Sequence, residues 1–353
     1  MSIANLDKVA ILGLSASVPP GEIDNREFVR EMFGENSLNV VDSTGIAKRR
    51  VVGEGVTALD LCVDAARTLI ERLAIEKSEI GGLIFVTATP DHLLPNNASQ
   101  CQEILELPRK LAAFDVNLAC SGYPYGLWLS GMMAKSFHKK VLLLDGQSHS
   151  QYVSPEDHAT SLLFGDAGSA TIIGESPKSD PWYFLFETDG SKKGVLTIPE
   201  GGYRNRVSKN SLEYQILEDG GKRRGIDLYM NGLEVFAFAS TSVPKLLAEL
   251  LRETSTEPSD LDYLVLHQAN LYMMKRIAKR LKIGMEKVPV SLDRFGNTSS
   301  TSIPLTIASE LQNEVTGKSI RIAMEGFGAG LSTGAGIIQV GPCVCPGVKV
   351  YGT

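Results

Sequence analysis

Apolar positions in the first half of the chain alternate between helical stripes and short unbroken runs. Leu59, Cys62, Val63, Ala66, Leu69, Ile70 and Leu73 recur every three or four residues behind Thr57, which predicts an amphipathic helix with a threonine cap. The run Leu83-Ile84-Phe85-Val86 is too short for a helix and predicts a buried strand. Ala112 to Val116 predicts another strand, Ser121 to about Lys135 a helix, and Val141 to Leu144 a further strand. Strands alternating with helices predict an α/β protein with parallel pairing and helices on the sheet faces.

The same order returns in the second half. Ser78-Glu79-Ile80 before the first buried strand is echoed by Ser259-Asp260-Leu261 before Tyr263-Leu264-Val265-Leu266. Gly168 to Ile173 is echoed by Gly334 to Ile338. The strand-turn-helix around Cys120 has a counterpart in a predicted strand Val288 to Leu292, the pair Gly296-Asn297, and a helix near Ile303 to Leu311. Markers repeated in order predict an internal duplication. The halves are 1–178 and 179–353, related by a pseudo-dyad, with residues 180–231, rich in Gly, Lys and Arg, as the polar connection between them.

Composition narrows the function. The chain has 353 residues, 43% hydrophobic and 22% charged, which excludes a disordered chain or a disulfide scaffold. A net charge of −6 offers no field for nucleic acid or anionic lipid. With no run of 18 apolar residues and no signal peptide, neither a membrane span nor export is expected. Five cysteines, an odd number, predict reduced thiols and a cytoplasmic location. Cys343 and Cys345 have no second ligand pair, so no metal site is expected, and Cys62 lies on a buried stripe.

Candidate chemistry centres on Cys120. It follows an apolar strand and precedes a predicted helix, whose free N–H groups would favour a thiolate. Taken alone, a cysteine in an apolar segment reads better as a small buried hydrophobe. His267 ends the strand of the second half in His267-Gln268-Ala269-Asn270, and Asn297 sits in Phe295-Gly296-Asn297-Thr298-Ser299. All three follow strands, where open α/β sheets gather their ligands, and that convergence favours catalysis.

At these residues the sequence resembles the β-ketoacyl-acyl-carrier-protein synthase III family of the thiolase superfamily. The resemblance extends through Thr44-Gly45-Ile46, Phe164-Gly165-Asp166-Ala167-Gly168, Asn231 to Phe236 and Gly326-Phe327-Gly328-Ala329-Gly330. It implies a five-layer αβαβα fold, a homodimer, and a Cys-His-Asn triad of Cys120, His267 and Asn297. Cys120 would take an acyl group from a thioester, and a malonyl thioester would then lose carbon dioxide and attack it. The backbone N–H groups of Cys120 and Ala329 would hold one oxyanion, and His267 Nε2 with the Asn297 amide the enolate. Leu94, Asn231, Phe236 and Asn270 are the substrate-binding candidates, and no metal or redox cofactor is implied.

Departures from the family pattern point to the donor. Asn39 and Ser43 stand where a tryptophan and an arginine commonly grip coenzyme A, and Tyr272 replaces a carrier-docking arginine. Lys275, Arg276, Lys279 and Arg280 form either a carrier-docking patch or a solvated helix face. Leu94 replaces a phenylalanine that limits the acyl pocket, which predicts a different primer. An acyltransferase passing the Cys120-bound group to an amine or hydroxyl is the alternative. A non-catalytic partner subunit would not need all three triad residues, and Thr89 occupies the place of the acid expected in the hydroxymethylglutaryl branch.

Overall fold

Two β-sheets are built from segments in matching order in the structure, a computed structural model describing residues 3–353. The first sheet has six strands, ordered Val344–Val350, Val9–Val18, Ala167–Glu175, Lys140–Gln147, Ile80–Val86 and Ala112–Val116. The second has five, ordered Ala4–Leu6, Trp182–Thr188, Ser332–Val340, Ile320–Gly328 and Tyr263–Leu266. The four strands from Val9–Val18 to Ile80–Val86 therefore have counterparts, in the same order, from Trp182–Thr188 to Tyr263–Leu266. The duplicated markers share local geometry as well. Lys77–Glu79 and Pro258–Asp260 are both single 3-10 turns in which an acidic side chain accepts a backbone N–H, Glu79 from Glu76 at 3.0 Å and Asp260 from Glu257 at 2.9 Å.

Neighbouring side chains on a strand point to opposite faces, and here both faces are covered. Ile84, Val86, Val141 and Leu143 pack with Tyr123, Leu127, Ile303 and Leu305 of the two middle helices, Gly122–Phe137 and Ser302–Glu310. Leu83, Phe85, Leu142 and Leu144 meet Leu59, Cys62, Ala66 and Leu69 of the outer helix Ala58–Leu73. In the second sheet Val265 faces the middle, whereas Leu264 and Leu266 face Leu246, Leu247 and Leu250 of the outer helix Gly232–Glu253. The result is five layers, αβαβα. Burial on both sides explains why these strands read as unbroken apolar runs. The predicted Thr57 cap closes with Asp60, whose carboxylate accepts the Thr57 N–H at 2.9 Å; such a cap contributes about 1 kcal/mol.

Three features depart from the sequence reading. Val288 to Leu292 is not a strand, because Pro289 has no N–H to enter a ladder. The Gln268 side chain holds that segment instead, accepting from Ser291 N at 3.1 Å and donating to Pro289 O at 3.3 Å. The connection 180–231 opens with a strand of the second sheet, Trp182–Thr188, before becoming irregular. The terminal strands also cross over. Ala4–Leu6 pairs with Trp182–Thr188, and Val344–Val350 lies parallel to Val9–Val18, so each half carries an end strand of the other's sheet. No helix among the described residues is long and apolar enough to cross a membrane.

Candidate active site

Cys120 lies four residues beyond the strand Ala112–Val116 and two before the helix Gly122–Phe137. The turn is closed by Gly122 N donating to Ala119 O at 2.8 Å. Gly328 leaves room for the thiol, since a Cβ there would lie 2.8 Å from Cys120 Cβ and 3.1 Å from Sγ. Burial pushes the Cys120 thiol up to about 11, with the Ser299 hydroxyl pulling the other way. The thiolate expected from the helix end is therefore not the resting state: loss of solvation outweighs it.

Ser299 joins the three candidates. Its hydroxyl is 3.2 Å from Cys120 Sγ, its carbonyl 3.0 Å from His267 Nδ1, and its N–H donates to Asn297 Oδ1 at 2.9 Å. Ser299 has a φ of +57°, and this left-handed turn lets one residue meet all three groups. Gly296, at φ +75°, starts the same loop where a Cβ would strike Arg49 and Leu163. Asn297 is anchored through its backbone to Leu163 and Gly165, its N–H donating to Leu163 O at 2.9 Å. Behind the loop, buried Asp145 accepts from Ser300 at 2.7 Å and from Thr301 at 2.9 Å. A run of consecutive hydroxyls, Thr298 to Ser302, marks this loop in the sequence, and every one of them is buried.

A carbonyl only accepts, so the contact with Ser299 O puts the ring proton of neutral His267 on Nδ1, with Ser302 Oγ also at 3.0 Å. Nε2 then keeps a lone pair. Burial pushes His267 down to about 4, so thiol and imidazole are both neutral near pH 7. Asn297 uses Oδ1 on Ser299, which leaves its NH₂ for a ligand. A thiol whose ionisation is shifted upward stays protonated until higher pH. Alkylation of Cys120 by iodoacetamide should therefore climb roughly tenfold per pH unit from pH 7 to 9. A plateau across that range would mean a preformed thiolate.

Cys120, His267, Asn297 and Asn270 line one narrow cavity of about 60 Å³. Cys120 also borders a larger one, of about 350 Å³, with Ala329 in its wall. The other candidates divide. Asn270 is at the site, yet its Oδ1 accepts from Met273 N at 2.8 Å as a helix cap. Asn231 likewise caps its helix through Glu234 N at 3.2 Å and does not line either cavity. Phe236 turns away and stacks on Tyr272 at 5.7 Å, while Val235 and Phe238 line the site; one residue along a helix is a rotation of about 100°. Leu94 is 85% exposed and borders neither cavity of its own chain, because its loop runs over the surface. Lys275, Arg276, Lys279 and Arg280 are all exposed on the helix Leu271–Arg280, and none makes an ion pair among the described residues. Met273 of that helix lines the narrow cavity.

Comparison with known proteins places the chain in a family. Family models for the 3-oxoacyl-[acyl-carrier-protein] synthase III and for its C-terminal region match residues 114–190 and 251–340. A β-ketoacyl-[acyl-carrier-protein] synthase III from Syntrophomonas wolfei is 32% identical over 336 residues, 95% of this chain and 98% of that protein. One from Clostridioides difficile is 31% identical over 94% of this chain and 98% of its own length. The solved 3-oxoacyl-(acyl-carrier protein) synthase of Burkholderia xenovorans LB400 superposes with a TM-score of 0.92 at 33% identity, over 99% of each chain. With relatives of this identity matched end to end, the chain belongs to the 3-oxoacyl-[acyl-carrier-protein] synthase III family.

Proposed function

We propose that the chain is a decarboxylating 3-oxoacyl-[acyl-carrier-protein] synthase that acylates Cys120 and condenses the acyl group with a malonyl thioester. The observation that carries this reading is the meeting of Cys120, His267 and Asn297 around Ser299 at one cavity. His267 Nε2 takes the Cys120 proton. The thiolate attacks the donor thioester, and the departing thiol recovers that proton, which leaves acyl-Cys120 and a neutral ring.

In the second half-reaction the malonyl carboxylate leaves as carbon dioxide. The enolate that remains needs donors on its oxygen, and neutral His267 offers none at Nε2. An adjacent anion raises the affinity of the ring for a proton, so Nε2 takes one from solvent and donates beside the Asn297 NH₂. The enolate carbon attacks acyl-Cys120. The tetrahedral oxyanion sits on the N–H groups of Cys120 and Ala329, and its collapse expels the thiolate, which regains the proton from His267. One proton is consumed for each carbon dioxide released, and no metal or redox cofactor takes part.

Partners follow from the surface. The exposed basic face Lys275, Arg276, Lys279 and Arg280 lies on the helix whose Met273 lines the narrow cavity, and it suits the acidic surface of an acyl-carrier protein. Asn39 and Ser43 lie exposed on the helix Asn39–Thr44 and offer no ring or cation for coenzyme A, so carrier-bound donors should outperform acetyl-coenzyme A. Lys275→Glu with Lys279→Glu should raise KM for a carrier-bound donor about tenfold at low salt, with most of the difference lost near 1 M salt. A salt-independent effect would remove the electrostatic docking. A homodimer is supported by the edge strand Ala112–Val116, which carries exposed Phe114 and pairs with no further strand among the described residues; sedimentation should give twice the 38.1 kDa chain mass. Five free cysteines suit a reducing cytoplasm.

The test of the reaction is isotopic. With Cys120 acylated, carboxyl-labelled malonyl-carrier protein should release labelled carbon dioxide and yield a β-ketoacyl thioester. Transfer of the acyl group to an amine or hydroxyl with no carbon dioxide released would replace this reading by simple acyl transfer.

A further inference from the structure

The larger cavity at Cys120 contains polar groups that the condensation does not use. Asn117, His149 and Tyr152 line it together with apolar Ala88, Phe164 and Leu228, and no lysine or arginine is in its wall. His149 is buried in the 3-10 turn His149–Tyr152 that follows the strand Lys140–Gln147. Its ring stacks on Phe164 at 5.2 Å and lies 5.0 Å from the ring of Tyr152. Nδ1 is sealed among protein atoms without a hydrogen-bond partner.

Burial pushes His149 down to about 3, with His267 a lesser cause, so the ring is neutral and carries one proton. A stranded buried N–H is rarer and costlier than a stranded lone pair, which puts the proton on Nε2, the nitrogen not sealed in protein. Burial, and then the nearby Cys120, hold the Tyr152 hydroxyl well above its usual range, so it too remains a donor. A plain alkanoyl chain would cover these groups and give them nothing. Each buried polar group left unpaired costs roughly tenfold in binding. Size points the same way: at roughly 30 Å³ per water-sized unit, a cavity of about 350 Å³ is far larger than an acetyl group needs.

Resting on the condensing-enzyme reading above, we propose that this cavity is the primer chamber and that His149 and Tyr152 select a short acyl group bearing an uncharged hydroxyl or keto oxygen. The absence of a cation in the wall disfavours carboxylated primers, whose charge would be buried unpaired.

The experiment follows acylation of Cys120 by intact-protein mass spectrometry, with 3-hydroxybutyryl, butyryl and succinyl groups on the same carrier protein. The 3-hydroxybutyryl donor should load with a kcat/KM at least about tenfold above butyryl, because a site built for a substrate hydroxyl rejects the analogue lacking it. His149→Leu and Tyr152→Phe should each shift that ratio toward butyryl by about tenfold, and Tyr152→Phe keeps the ring should the leucine variant misfold. Equal or faster loading of butyryl, a ratio unchanged in both variants, or succinyl loading as fast as 3-hydroxybutyryl overturns the proposal while leaving the condensing enzyme in place. Failure of every donor to load Cys120 overturns both.

Discussion

Cys120→Ala is expected to abolish acyl loading and to lower turnover on the order of 10⁴–10⁶-fold, the scale on which a triad loses its nucleophile. Acidity does not single this thiol out. Burial raises Cys345 to about 11, as it does Cys120, and raises Cys343 to about 12. Access does: of the five free cysteines, Cys120 alone borders the narrow and the larger cavity of the site. Cys62 and Cys101 are fully enclosed in the outer core, and burial pushes both far above the usual thiol range. Peptide mapping of the wild type should place the acyl mass on Cys120, and the alanine variant, folded by circular dichroism, should carry none. Acyl mass on Cys62 or Cys101 would end the mechanism.

Removing an enolate donor should have the next largest effect. His267→Ala or Asn297→Ala is expected to slow malonyl decarboxylation roughly 10²–10³-fold, about 2.7–4 kcal/mol of lost oxyanion stabilisation. Asn297→Asp separates the role of the amide from that of the loop. Its oxygen can still accept the Ser299 N–H, whereas the NH₂ is gone and a carboxylate faces the enolate. Aspartate should therefore be at least as slow as alanine, with Cys120 acylation retained. The His267→Ala variant also lacks the base for Cys120, so its acyl loading should fall near pH 7 and recover toward pH 9 as the thiol ionises without help. Aspartate that restores decarboxylation would show Asn297 to act through Ser299 and the loop.

Much of the fold was legible because its signals are local. Tyr263–Leu266 appears as read, since its neighbours on both faces are apolar and the run needs no partner to be recognised. Thr57 was readable because a cap is satisfied within three residues, by Asp60. Strands of few residues or mixed pattern were not: Ala4–Leu6 has three residues, and its place at the edge of the far sheet comes from Trp182–Thr188. Val288 to Leu292 shows the converse, an apolar pattern that Pro289 and the Gln268 side chain keep out of any sheet.

For the site, the chain's residue types already offer the chemistry: a thiol and an imidazole that each follow a strand, and an amide that follows Gly296 at the end of a short helix. Their assembly depends on contacts between segments far apart, such as Cys120 and Ser299 at a separation of 179 residues. Ser299 was unreadable because its role comes from one backbone angle, and a serine among serines announces none. Phe236 and Phe238 differ only in the helical rotation that sends one to Tyr272 and the other to the cavity. Protonation belongs to the packed state for the same reason. The helix end beside Cys120 argues for a thiolate, but desolvation is set by everything packed around the sulfur, and that environment exists only once both halves have closed over the site.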